Sequence, residues 1–156
     1  NEKLLDWETA NKIPWGLIIL VGSGICLGTA ISESGLSEQA AKLLTGIDKL
    51  KTVFVILCVA LLVTFLTEIT SNTATTVILM PILGAVSTAS GIEPTLLLIP
   101  AAISASCAFM LPVATMPNAV VYGTGEFSIK RMVKEGFALN LVGSLVVTTI
   151  CYSILF

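Results

Sequence analysis

The sequence predicts an all-α integral membrane chain whose apolar helices are interrupted by polar residues at two places. Three observations predict it. First, of 156 residues, 55% are hydrophobic and 12% charged, against about 25% charged in soluble domains; mean hydropathy is +0.98. Second, residues 13–32, 95–125 (up to Gly125) and 137–156 carry no charge, and 52–92 carries one, Glu68. A bilayer-spanning helix needs about 20 mostly apolar residues. Third, two of these stretches contain polar or proline-rich centres.

The same numbers exclude other classes. Net charge is −2 with no basic run, so nucleic acid is not an expected partner. Cys26, Cys58, Cys107 and Cys151 each sit alone in apolar surroundings, and there is no histidine; they read as small hydrophobes rather than zinc or haem ligands. No intramembrane Ser-Lys or paired-Asp arrangement is present, so the chain is not read as an enzyme. The opening Asn-Glu-Lys is polar and acidic, unlike a signal peptide, and reads as a piece of something longer.

Residues 1–34 are a polar lead-in and a first transmembrane helix. Pro14 suits its first turn and Trp15 the membrane interface. Gly22, Gly24 and Gly28 make one side small, which favours close helix packing. Residues 35–50 differ: Leu36, Ala40, Leu43, Leu44 and Ile47 recur at helical spacing, with Glu38, Lys42 and Asp48 elsewhere. This predicts a short amphipathic helix along the membrane surface, with Ser37 capping its start. Residues 51–156 hold the rest. Within 52–91 two apolar arms of about 16 residues, about 24 Å each as helix, flank a polar centre at 64–76. Residues 95–125 are too long for one span and too short for two. Their middle holds Pro112 and Pro117, which break a helix. A charged connector from Gly125 to Glu135 leads to the last transmembrane helix, 134–156, whose apolar run starts at Gly136. The positive-inside rule groups Lys3, Lys12, Lys130, Arg131 and Lys134 on the cytoplasmic side against Lys42, Lys49 and Lys51, which places the C-terminus outside.

A helix break inside lipid survives only against protein or a watery cavity, so each break is a candidate site. The entering helix ends in free carbonyls, suited to a hard cation; the leaving helix starts with free N–H groups, suited to a carboxylate. At the first break Thr67 and Thr70 end one arm and Ser71, Asn72 and Thr73 begin the next with favoured N-cap types. At the second, Val113, Ala114 and Thr115 offer carbonyls, and Met116, Pro117 and Asn118 open the following helix with Asn118 as its cap. No Lys or Arg is near either break in sequence, so an anion there would depend on dipoles, hydroxyls and a co-bound cation. From the residues alone two alternatives stay open: Ser71–Thr73 as a polar turn at the membrane face with Glu68 in water, and Pro112 and Pro117 as a packing kink without ligand. Glu68 itself reads as pairing with a partner, hydrogen-bonding the loop, or binding sodium directly.

Thr-Glu-Ile-Thr-Ser-Asn-Thr-Ala-Thr-Thr at 67–76 resembles the second Ser-Asn-Thr signature of the divalent anion/sodium symporter family. Phe-Met-Leu-Pro-Val-Ala-Thr-Met-Pro-Asn-Ala at 109–119 resembles its Leu-Pro-Val-Ala-Thr-Pro-Pro-Asn signature, with Met116 in place of the first proline. The resemblance implies the later part of the second inverted repeat of an elevator-type transporter. Its parts would be a scaffold helix (1–34), a surface arm (35–50), a re-entrant hairpin (52–91), a broken helix (95–125) and a last helix (134–156). It implies sodium-coupled symport of C4-dicarboxylates such as succinate across a bacterial inner membrane by a homodimer, with the N-terminal half of the same transporter supplying the other hairpin. Sulfate transport and sodium-independent exchange are the alternatives. Carried over by position, Ser71, Asn72, Thr73, Thr115 and Met116 would bind the anion, and Thr67, Thr70, Asn72, Ala114 and Asn118 the Na⁺.

Overall fold

The computed structural model describes residues 6–44 and 49–155, all of them helix or connector. The elements are α1 (Trp7–Ala10), α2 (Trp15–Glu33), α3 (Leu36–Leu44), α4 (Lys49–Thr67), α5 (Asn72–Ser90), α6 (Thr95–Ser104), α7 (Met116–Gly123) and α8 (Ile129–Leu155). Among the described residues two helices, Asn72–Ser90 and Ile129–Leu155, are long and apolar enough to cross a membrane. A third span exists if α2 and α3, bent by 67° at their junction, are taken as one.

Several boundaries differ from the sequence expectation, each for a local reason. Pro14 is the N-cap of α2 rather than part of its first turn, and Trp15 donates its ring N–H to the Ala10 carbonyl at 3.0 Å, tying the lead-in to the span. Ser37 lies inside α3, bonded to Glu38; Gly35, at φ +74, makes the turn instead, a conformation glycine adopts without penalty. The buried edge of α3 is Ser37 and Ala41, with Leu36 exposed, because α3 packs on α5 and α2. The arm's residues 45–48, Ile47 and Asp48 among them, and the lead-in's 1–5 with Lys3 lie outside the described residues. α8 starts at Ile129, five residues before 134; Ser128 Oγ accepts from the Arg131 N–H at 3.3 Å and opens the helix there, so much of the charged connector is its first turns. α5 is 19 residues, longer than the predicted arm, whereas the apolar part of α4, Thr52–Thr67, matches it.

Packing divides into two contacts around α5. On one side α2 docks at close range. An added Cβ at Gly24 would meet the Val77 carbonyl oxygen at 2.5 Å, and one at Gly28 would meet Pro81 Cβ at 2.4 Å. The spacing has a cause. Pro81 has no N–H to offer the carbonyl four residues back, which is that of Val77, and glycine lets the α2 backbone close on the exposed oxygen. Gly22, read with them from sequence, meets nothing within 4 Å. On the other side α4 packs against α6 and α8. Ile56, Leu96 and Leu97 form one apolar cluster and Val63, Ala101 and Ala105 another, the latter closed by Leu79, Met80 and Leu83 of α5. α5 ends at Gly91 (φ +68), whose N–H and that of Ile92 return to the last turn, the geometry glycine terminates helices with.

Candidate functional site at two converging helix breaks

The chain breaks helix at both predicted places, between α4 and α5 and between α6 and α7. Ser71 caps α5: its Oγ accepts from the Ala74 N–H at 3.1 Å. Thr115, not Asn118, caps α7, accepting from the Asn118 N–H at 3.4 Å with extended backbone. Asn118 sits in the first turn instead, because its amide is drawn to the unwound segment: Nδ2 donates to the carbonyls of Ala108 and Leu111 at 2.8 and 3.0 Å.

Unwound backbone away from water has to be satisfied by side chains, and one carboxylate does most of it. Glu68, 3% exposed, takes the backbone N–H groups of Phe109 and Met110 on Oε1 at 2.7 and 2.9 Å and that of Leu111 on Oε2 at 3.0 Å. Asn140 of α8 adds a fourth donor at 2.8 Å. Four N–H groups thus disperse the charge of a carboxylate that would otherwise be costly among apolar helices. Glu68 bonds the loop, as one of the sequence readings had it; it is not in water, as the polar-turn alternative required.

Thr67 completes the join. Its Oγ1 lies 2.6 Å from Asn72 Oδ1 and 2.8 Å from the Ala105 carbonyl oxygen. A hydroxyl has one proton and serves one of these acceptors at a time, so oxygen lone pairs are left crowded between α4, α5 and the end of α6. Thr70 Oγ1 reaches the Leu66 carbonyl at 2.9 Å and pairs with the hydroxyl of Thr75 at 2.5 Å.

Between the breaks lies a cavity of ≈310 Å³, lined by Glu68 to Asn72 on one side and by Val113 and Ala114 on the other. Among the predicted residues, Thr70, Ser71, Asn72 and Ala114 line it, and Thr67 stands behind Asn72. Thr73, Thr115, Met116 and Asn118 do not: Thr73 is exposed on the first turn of α5, Met116 is 78% exposed, and Asn118 lines a neighbouring cavity of ≈520 Å³ with Phe109, Arg131 and Glu135. Among the described residues no basic side chain lines the cavity between the breaks.

Comparison with known proteins decides the family. The model of the sodium:sulfate symporter transmembrane region matches residues 2–155. The chain belongs to this family. Within the symporter family it is similar to the sodium-dependent dicarboxylate transporter SdcS of Staphylococcus saprophyticus, 45% identical over 152 residues, which covers 97% of this chain and 29% of that protein. SdcS of Staphylococcus aureus strain MRSA252 is 42% identical over 155 residues, 99% of this chain and 30% of that protein. The chain therefore spans about three-tenths of the length of the curated relatives it matches.

Sequence reasoning missed the part α8 plays in this family member. Gly136, Asn140, Ser144 and Thr148 are buried at intervals of four, on one helix face. Ser144 donates to Thr64 at 3.3 Å, and Asn140 reaches Glu68. The signal was present: a lone amide in an uncharged span, in step with small residues, marks a helix contact rather than a lipid face.

Proposed function

We propose that this chain is part of a sodium-coupled symporter of C4-dicarboxylates such as succinate, a multi-pass carrier of the bacterial inner membrane and not an enzyme. The observation that carries the reading is the convergence of both helix breaks on one cavity that no basic residue lines. Relatives 45% and 42% identical bear the name sodium-dependent dicarboxylate transporter, which supports the coupling ion and the anion class.

The chemistry follows from the ends of the helices. The N-termini of α5 and α7 open at the breaks with Ser71 and Thr115 as caps, and such ends favour carboxylate oxygens. Ser71 and Asn72 lie in the cavity wall, and in this reading they bind the anion with Thr73, Thr115 and Met116. Na⁺ takes oxygen ligands: Thr67, Thr70, Asn72 and the Ala114 carbonyl, with Asn118, outside the cavity, contributing by holding the Ala108 and Leu111 carbonyls of the unwound segment. The gathering of the Thr67 hydroxyl, the Asn72 amide and the Ala105 carbonyl supports this, since each carries an oxygen of the kind a hard cation takes. With Glu68 committed to N–H groups and no cationic side chain among the described residues of the wall, Na⁺ supplies the positive charge the anion needs. That is a physical basis for coupling.

The remaining architecture is part of the same reading: a re-entrant hairpin 52–91, a broken helix 95–125, and an elevator-type movement in a homodimer. The N-terminal half of the transporter supplies the opposite hairpin and another sodium site, and the C-terminus is periplasmic. Sulfate is the second substrate to test, because the family's description names it.

The test is uptake of labelled succinate by the full-length protein in proteoliposomes. A sodium gradient should drive accumulation, replacement of Na⁺ by K⁺ should abolish it, and Asn72→Ala should remove both binding and uptake. Sulfate accumulation without succinate accumulation, or equal uptake in K⁺, would overturn the proposal.

A further inference from the structure

Asn140 is the only amide side chain in α8, and it is fully buried. Its Nδ2 donates to Glu68 Oε1 at 2.8 Å, while Oδ1 has no hydrogen-bond partner. An orphaned buried acceptor is destabilising. Turning the amide over does not relieve it, because Oδ1 would then face the carboxylate. The donor is thus retained despite an unpaired acceptor.

One turn earlier, α8 meets the same loop directly. A Cβ added at Gly136 would fall 2.3 Å from the Phe109 carbonyl oxygen and 2.6 Å from Met110 Cα. One face of α8 therefore touches residues 109–111 twice, by contact at Gly136 and through Glu68 at Asn140. Two residues further on, Val113 and Ala114 form a wall of the cavity.

We propose that Asn140 is a positioning residue: by donating to Glu68 it fixes the carboxylate that holds the Phe109, Met110 and Leu111 amides, and so sets where Ala114 stands in the site. The three backbone donors belong to the loop being positioned and cannot orient the carboxylate relative to anything else. Asn140 is the donor that refers it to an independent helix. The consequence for transport rests on the carrier reading above; the consequence for the loop does not.

The test uses the full-length protein with Asn140→Leu, which removes donor and orphan acceptor together while keeping the branching at Cγ. A packing role predicts an unaltered loop, whatever the change in overall stability. Positioning predicts that amide hydrogen exchange over residues 109–111 accelerates about tenfold or more, and that half-saturation for sodium-driven succinate uptake rises several-fold with the maximal rate less affected. Ser144→Ala, on the same face but bonded to Thr64, should change neither. Asn140→Ala serves where Asn140→Leu does not fold and should give the same exchange result. Wild-type exchange at 109–111 in whichever variant folds overturns the proposal, whatever is transported. Faster exchange in a protein whose wild type shows no sodium-driven uptake upholds the positioning and rejects the carrier reading instead.

Discussion

Glu68 shows how much one side chain can organise at a break. It joins the tip of the first break to three consecutive amides of the second, and bonds to an ionised acceptor are worth about 1.5–3 kcal/mol each. Glu68→Gln keeps the shape but replaces one acceptor oxygen with an NH₂ that faces N–H donors. It should cost about 1–3 kcal/mol, read as a lower unfolding temperature of the full-length protein, together with weaker anion binding. An unchanged unfolding temperature would show that the loop holds its form without the carboxylate. Thr67→Val removes the hydroxyl near Asn72 and Ala105 while keeping the branched shape. In the carrier reading it should raise the sodium concentration needed for half-maximal uptake more than it lowers stability, and an uptake curve identical to wild type would count against a cation there.

Helices are matched by what their backbones lack. Pro81 leaves the Val77 carbonyl without its helical donor, and Gly24 and Gly28 of α2 close on that turn. Gly28→Val should force α2 off α5 and cost about 1–3 kcal/mol by overpacking, whereas Gly22→Ala, with nothing within 4 Å, should stay within about 0.5 kcal/mol. Thermal unfolding of the two variants side by side checks this, and equal losses would show that α2 does not dock through its glycine edge. α8 behaves in the same way, presenting Gly136 where a side chain would displace the loop.

Across the whole molecule the two breaks close on one cavity although about 40 residues separate them in sequence. Cysteines placed singly along 67–76 in the full-length protein should label poorly at 67, 68 and 75, whose native side chains are buried, and readily at 69, whose side chain is 75% exposed. Uniform labelling would indicate an open turn. Because the chain spans about three-tenths of its relatives' length, expressed alone it should fail to accumulate succinate. In the carrier reading, the anion needs a wall from the other hairpin.

The sequence by itself determined the helical class, the positions of both breaks and the capping chemistry of Ser71, Asn72 and Thr73, from which the structure uses Ser71. These depend on local chemistry: apolar runs have to be helical in lipid because every backbone group needs an internal partner, and prolines and Ser-Asn-Thr segments interrupt them. It did not determine that Thr115 rather than Asn118 caps α7, since Asn is by type the better cap and the choice turns on the Ala108 and Leu111 carbonyls that Asn118 reaches. Nor did it assign Glu68 to the 109–111 amides or Asn140 to Glu68. Those bonds join residues 41 to 72 apart in the chain, and only the mutual packing of α4, α6 and α8 brings them within reach of one another.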